Sequence, residues 1–135
     1  MKFYSTNGQS FANNTTTKVQ LPTKAFDSHG GFDNITNYRY TVPTSGVYDI
    51  YCQVTLTSGT SGTTRVAYVY KNGSEVAANY INSGASGTNG VSISYSDKAI
   101  AGDYYEFFFF HNSGGAILGD TTAQRTFMKI NKVGN

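Results

Sequence analysis

One cysteine, two histidines, no tryptophan and very little charge are what this chain of 135 residues offers least of. Cys52 alone cannot close a disulfide within the chain, and its place inside an alternating apolar segment reads as a small buried hydrophobe. Charged side chains make up 13% of the residues, about half the usual quarter. Ten basic and eight acidic residues leave a net charge of +2, scattered along the chain, so there is no electrostatic footprint for nucleic acid. No run of about 18 apolar residues marks a membrane span, and residues 1–7 lack the apolar core of a secretory signal. The expectation is a protein made in a cytoplasm, with no membrane partner. Catalytic signatures are missing too: there is no GxSxG elbow, no HExxH, no CxxC pair, no phosphate-binding glycine loop, and no constellation among the histidines and carboxylates. The chain is expected not to be an enzyme.

Polarity comes instead from 15 glycines and abundant Ser, Thr and Asn. Helical surfaces draw on Glu, Lys, Gln and Arg, and no 11-residue window keeps an apolar stripe at helical spacing. Period-2 alternation recurs, punctuated by small polar residues, which predicts an all-β domain. The clearest strand is 46–57, with Tyr48, Ile50, Cys52, Val54 and Leu56 on one face. Residues 64–71 end in Asn72-Gly73, the dipeptide suited to a type I′ turn, and predict a hairpin to 75–81. In 90–97, Val91, Ile93 and Tyr95 alternate with three serines, the pattern of a sheet with one wet face. Shorter candidates are 17–21, 24–27, 38–42 and 125–132.

The segment 104–110 breaks the pattern, because Tyr104-Tyr105-Glu106-Phe107-Phe108-Phe109-Phe110 is apolar at both parities. A strand of this kind is covered on both sides, by its own chain or by another subunit. Three loops are long and polar: 58–63, 82–89 and 112–123. Solubility alone accounts for their composition, and the same loops supply the candidate ligand contacts Thr60, Ser61, Asn82, Ser86, Asn89 and Asn112.

Spacing then becomes more informative than composition. Tyr40, five residues, and Gly46-Val47-Tyr48-Asp49-Ile50 resemble the signature stretch of the complement C1q-like globular domain. Leu21, Asp27 and Phe32 reproduce its upstream spacing, with one extra residue between Phe32 and Tyr40. Val69-Tyr70-Lys71-Asn72-Gly73, Gly102-Asp103 and Thr126-Phe127 resemble its later motifs in the right order. The resemblance implies a ten-stranded jelly roll of the C1q/tumour-necrosis-factor superfamily, assembled as a homotrimer. Laid on that pattern, residues 15–135 form the domain and 1–14 a lead-in or anchor. The implied core holds Tyr48, Ile50, Cys52, Val54, Phe107, Phe109 and Phe127, leaving Tyr104, Glu106, Phe108 and Phe110 to face a neighbouring subunit.

No metal or other cofactor is expected, although some members of the resembled family bind calcium through loop carboxylates, for which Asp27, Asp33 and Asp120 are the candidates here. His111 is either a residue closing a strand end or one approaching a threefold axis. C1q-like trimers occur among bacteriophage virion proteins, and 11–19 looks like the lead-in of such copies. The expected role is therefore a structural or adhesive virion protein, a head decoration, head fibre or tail-fibre module. It would contact capsid or tail proteins and present loops to a host-surface glycan or protein. The alternative is a carbohydrate- or protein-binding module excised from a bacterial surface protein.

Overall fold

The computed structural model describes residues 1–59, 62–84 and 86–135, and every regular element among them is a strand. In chain order these are β1 (Lys2–Ser5), β2 (Ser10–Phe11), β3 (Thr17–Lys18), β4 (Thr23–Phe26), β5 (Phe32–Asp33), β6 (Arg39–Thr41), β7 (Gly46–Leu56), β8 (Thr64–Lys71), β9 (Ser74–Asn82), β10 (Asn89–Ala99), β11 (Tyr104–His111), β12 (Ile117–Leu118) and β13 (Thr126–Gly134). They build two layers. One is a five-stranded sheet in the order β10-β7-β13-β1-β4, and the other a six-stranded sheet in the order β5-β6-β11-β8-β9, with β3 pairing to β11 beyond the end of β6. β2 and β12 form a separate two-stranded ribbon. The described residues thus carry more strands than the ten expected, the surplus being short edge pairings.

Alternation decides which faces meet. On β7, Tyr48, Ile50, Cys52, Val54 and Leu56 are all buried, as the period-2 reading predicted. Opposite them, Tyr105, Phe107 and Phe109 of β11 are fully buried beside Ala67 and Val69 of β8. The Asn72-Gly73 turn has φ of 52° and 82°, and closes the β8–β9 hairpin with Lys71 opposite Ser74. Burial pushes the Cys52 thiol far up from its ordinary pKa, so it is an inert core residue.

Two expectations are corrected. Phe127, placed in the core by its motif, is only half-buried and faces away from it. The register sets Met128 beside Cys52 and Ile130 beside Ile50, which sends Phe127 outward beside Gln53 and onto Tyr51, 5.5 Å between ring centroids. Residues 1–14, read as a lead-in or anchor, are built into the sandwich. β1 runs between β13 and β4, and both Phe3 and Phe11 are buried. Phe3 stacks on Phe32 at 3.7 Å, and Phe11 meets Phe109 edge-on at 5.0 Å. Without β1, the inward row of β13 would lie on an open edge.

The two sheets are also tied by charge at one end. Lys71 of β8 reaches Asp97 of β10 at 2.7 Å and Asp103 at 3.1 Å, and the Tyr105 hydroxyl donates to Asp97 at 2.5 Å. Burial alone would raise the Asp97 pKa, but the hydrogen bonds from Lys71 and Tyr105 together with the Lys71 charge outweigh it and hold the carboxyl below its ordinary value.

Phe3→Ala removes a stacked ring from the closed core and is expected to cost about 3–5 kcal/mol in a denaturant titration, a loss that a mere anchor segment would not produce. For the clamp, a carboxyl with a depressed folded pKa stabilises above the unfolded value of about 4 and loses that contribution as pH falls below it. Stability measured between about pH 6 and pH 2 is expected to fall less steeply in Asp97→Asn than in the natural sequence.

Candidate functional site

The ends of β7, β9 and β11 and the starts of β8 and β10 lie together at the opposite end of the sandwich from the Lys71 clamp. Register brings them there: Leu56 pairs with Asn89, Thr64 with Asn82, and Arg65 with His111. The three polar loops singled out in the sequence therefore meet in one place. The Gly62 amide donates to the Ser83 carbonyl at 2.6 Å, the Ser83 amide to the Thr63 carbonyl at 2.9 Å, and the Gly87 amide to the Gly59 carbonyl at 3.3 Å. Thr88 Oγ1 donates to the Thr57 carbonyl at 3.3 Å.

Of the candidate ligand residues, Asn82, Asn89 and Asn112 are held within this cluster. Asn112 Oδ1 accepts from the Thr64 amide at 2.7 Å, Asn82 Oδ1 accepts from Thr64 Oγ1 at 3.3 Å, and Asn89 Nδ2 donates to Ser83 Oγ at 3.2 Å. Ser86 is exposed on the same end. Thr60 and Ser61 lie outside the described residues.

One residue here escaped the sequence reading. Arg65 projects inward from β8 and is 0% exposed, one of the largest fully buried side chains among the described residues. It shares its parity with Ala67 and Val69, so the alternation that defines β8 already puts a cation on the core face. Its neighbour across the ladder, His111, is also fully buried, and the ring is held at both nitrogens. Nε2 lies 2.9 Å from the Phe11 carbonyl and Nδ1 accepts from the Ser113 amide at 3.3 Å, which suits the tautomer with the proton on Nε2. His111 thus ends β11 with both ring nitrogens engaged within the chain.

The metal candidates are each used locally. Asp27 accepts from the Gly31 and Phe32 amides and faces Lys24; Asp33 accepts from the amides of Ile35, Thr36 and Asn37; Asp120 accepts from the Thr122 amide and pairs with Arg125 at 3.0 Å. Those backbone hydrogen bonds hold the Asp33 and Asp120 carboxyls below their ordinary pKa. Among the described residues no group of three or more His, Cys, Asp or Glu is placed to share an ion.

The stripe expected at a subunit interface lies on the outward face of β11. Glu106 is buried in an ion pair with Lys18, Arg39 sits 4.2 Å over the Tyr104 ring, and Phe108 packs 4.3 Å from Tyr70. Phe108 and Phe110 remain half-exposed, continuous with Tyr68 and the largely exposed Tyr80. A second outward aromatic group, Tyr4, Tyr51 and Phe127, lies on the five-stranded sheet.

Two antiparallel sheets in this order make a jelly roll of the tumour-necrosis-factor-like kind. Murine APRIL, solved at pH 5.0, superposes with a TM-score of 0.73 at 15% identity over 98% of this chain and 96% of that one. The Eiger TNF of S. frugiperda superposes with a TM-score of 0.69 at 14% identity over 99% of this chain and 91% of that one. No family model and no curated protein matches the sequence. At such identities the likeness is one of fold.

Since each candidate carboxylate is already engaged by its own loop, 1 mM calcium chloride is expected to leave the thermal midpoint unchanged relative to magnesium chloride. A calcium-specific rise of more than about 2 °C in differential scanning fluorimetry would reassign these loops to a metal site.

Proposed function

We propose that this chain is a non-enzymatic, homotrimeric binding module, and that it serves as a structural or adhesive protein of a bacteriophage particle. The observation that carries the binding part is the convergence of three Ser/Thr/Asn/Gly loops on one end of a rigid sandwich. Neutral amides and hydroxyls held by strand ends suit a glycan or a polar protein surface. Tethering three such ends gives avidity that one weak site lacks. Two outward aromatic faces with few charges to desolvate support self-association. A fold that uses no disulfide and a neutral polar exterior support the virion setting, with capsid or tail proteins as the anchoring partners.

Light scattering after size exclusion tests the assembly. The natural sequence is expected to elute as a trimer, and Phe110→Glu, on the outward face of β11, to dissociate it. Dissociation by Tyr51→Glu instead would move the interface to the opposite sheet, and a monomer at micromolar concentration overturns the trimer. A glycan array then tests the ligand: saturable binding to one class of bacterial surface sugar supports the adhesive role, and a blank array reduces the module to a structural one.

A further inference from the structure

β8 points two cations inward from the same face, Arg65 near its start and Lys71 at its end, and the chain treats them differently. Lys71 is met by Asp97 and Asp103. Among the described residues nothing meets Arg65: Nε, Nη1 and Nη2 are all buried without a hydrogen-bond partner there. A guanidinium carries five N–H donors in a planar fork and stays protonated, so it cannot shed the cost by losing its charge. Burial lowers its pKa, the direction that marks a charge out of water without compensation. A charge left in that state destabilises a fold strongly, and buried charges are therefore paired.

The chain does not supply the pair. Of its eight carboxylates, Asp97 and Asp103 hold Lys71, Glu106 holds Lys18, and Asp120 holds Arg125. Asp27 and Asp33 are taken up by their own loops, and Asp49 accepts from Ser96 Oγ at 2.5 Å. Glu75 lies opposite Tyr70, next to the hairpin tip and at the far end of β8 from Arg65.

Arg65 instead forms part of the wall of a cleft between the loops, with Ile81, Asn82, Ser83, Gly84, Asn89 and Gly90, and its guanidinium nitrogens lie beneath that lining. Gly59 covers the other flank so closely that a Cβ there would collide with the guanidinium. Hydroxyl, amide and bare glycine backbone around a fixed fork are the surroundings an oxyanion takes.

We infer that Arg65 is the floor of an oxyanion site, taking a carboxylate or phosphate group of the ligand presented to the loop end of the sandwich. The fork donates to two oxygens side by side, and the Ser83 and Asn82 side chains flank the remainder of the ligand. The inference rests on the loop end being the binding face, and it specifies that the ligand recognised there is acidic.

The test follows the Arg65 Nε–Hε resonance while sodium acetate, inorganic phosphate, glucuronate or glucose is titrated against sodium chloride of equal ionic strength. A saturable shift with acetate and glucuronate assigns a carboxylate ligand, and one with phosphate alone assigns a phosphorylated one; glucose is expected to do nothing. The same anions are expected to raise the thermal midpoint of the natural protein and not of Arg65→Met, which should be at least as stable as the natural protein in anion-free buffer. Arg65→Lys keeps the charge without the fork and is expected to weaken binding at least tenfold. Should Arg65→Met fail to fold, Gly59→Ala, which pushes the guanidinium aside, is expected to weaken the anion response in the same way. The absence of any saturable shift beyond that of chloride overturns the site. Anion binding with a blank glycan array overturns only the glycan reading, whereas sugar binding that leaves Arg65 unmoved overturns only the anion site.

Discussion

The closure of two β-sheets over a shared aromatic layer governs this molecule. Phe3 on Phe32, Phe11 against Phe109, and the buried rings of Tyr40, Tyr48, Tyr105 and Phe107 come from both sheets and from both halves of the chain. Each such ring removes on the order of 150–250 Å² from water, so a few of them outweigh any polar contact at the surface. Because the rings fix the facing of every long strand, they also fix which strand ends share a rim. The ladder register of β7, β8, β10 and β11 sets the polar loops on one rim, and hydrogen bonds between the loops then join them there.

That dependence explains how much could be read in advance. The inward row of β7 and the β8–β9 hairpin were legible because a single parity, or a single turn dipeptide, decided each of them, whereas β11, apolar at both parities, took its inward row only from the family resemblance. Phe127 was not. Phe127 and Met128 are both apolar, so β13 carries two admissible parities, and only pairing with Cys52 and Ile50 of β7 chooses between them. Residues 1–14 failed for a different reason. β1 and β2 are four and two residues long, too short for periodicity to register, and their burial is set by a sheet edge contributed from the far end of the chain.

The candidate site was half legible. Asn82, Asn89 and Asn112 could be named as loop residues from composition, but their common location depends on strand pairing that no local pattern encodes. Arg65 was visible in principle, since the alternation of Ala67 and Val69 extends back to it. It was missed because Val66, Tyr68 and Tyr70 are apolar at the other parity, so the strand 64–71 has two admissible inward faces. Pairing with β11, which sets Ala67 beside Phe109 and Val69 beside Phe107, chooses the face that carries Arg65.

The low charge of the chain takes on a sharper meaning in this light. With few charges, each buried one stands out, and nearly all are matched: Glu106 by Lys18, Asp97 and Asp103 by Lys71, Asp120 by Arg125. The matching is complete enough at the hairpin end to clamp the two sheets together. At the loop end the same strand, the same face and a cation of greater hydrogen-bonding capacity are left without an acidic partner from the chain. A fold stabilised by rings can carry that one local cost, and the cost falls at the end where three loops leave the backbone open. The unmatched cation therefore lies with the loop end proposed to bind a ligand rather than with the part that holds the sandwich together.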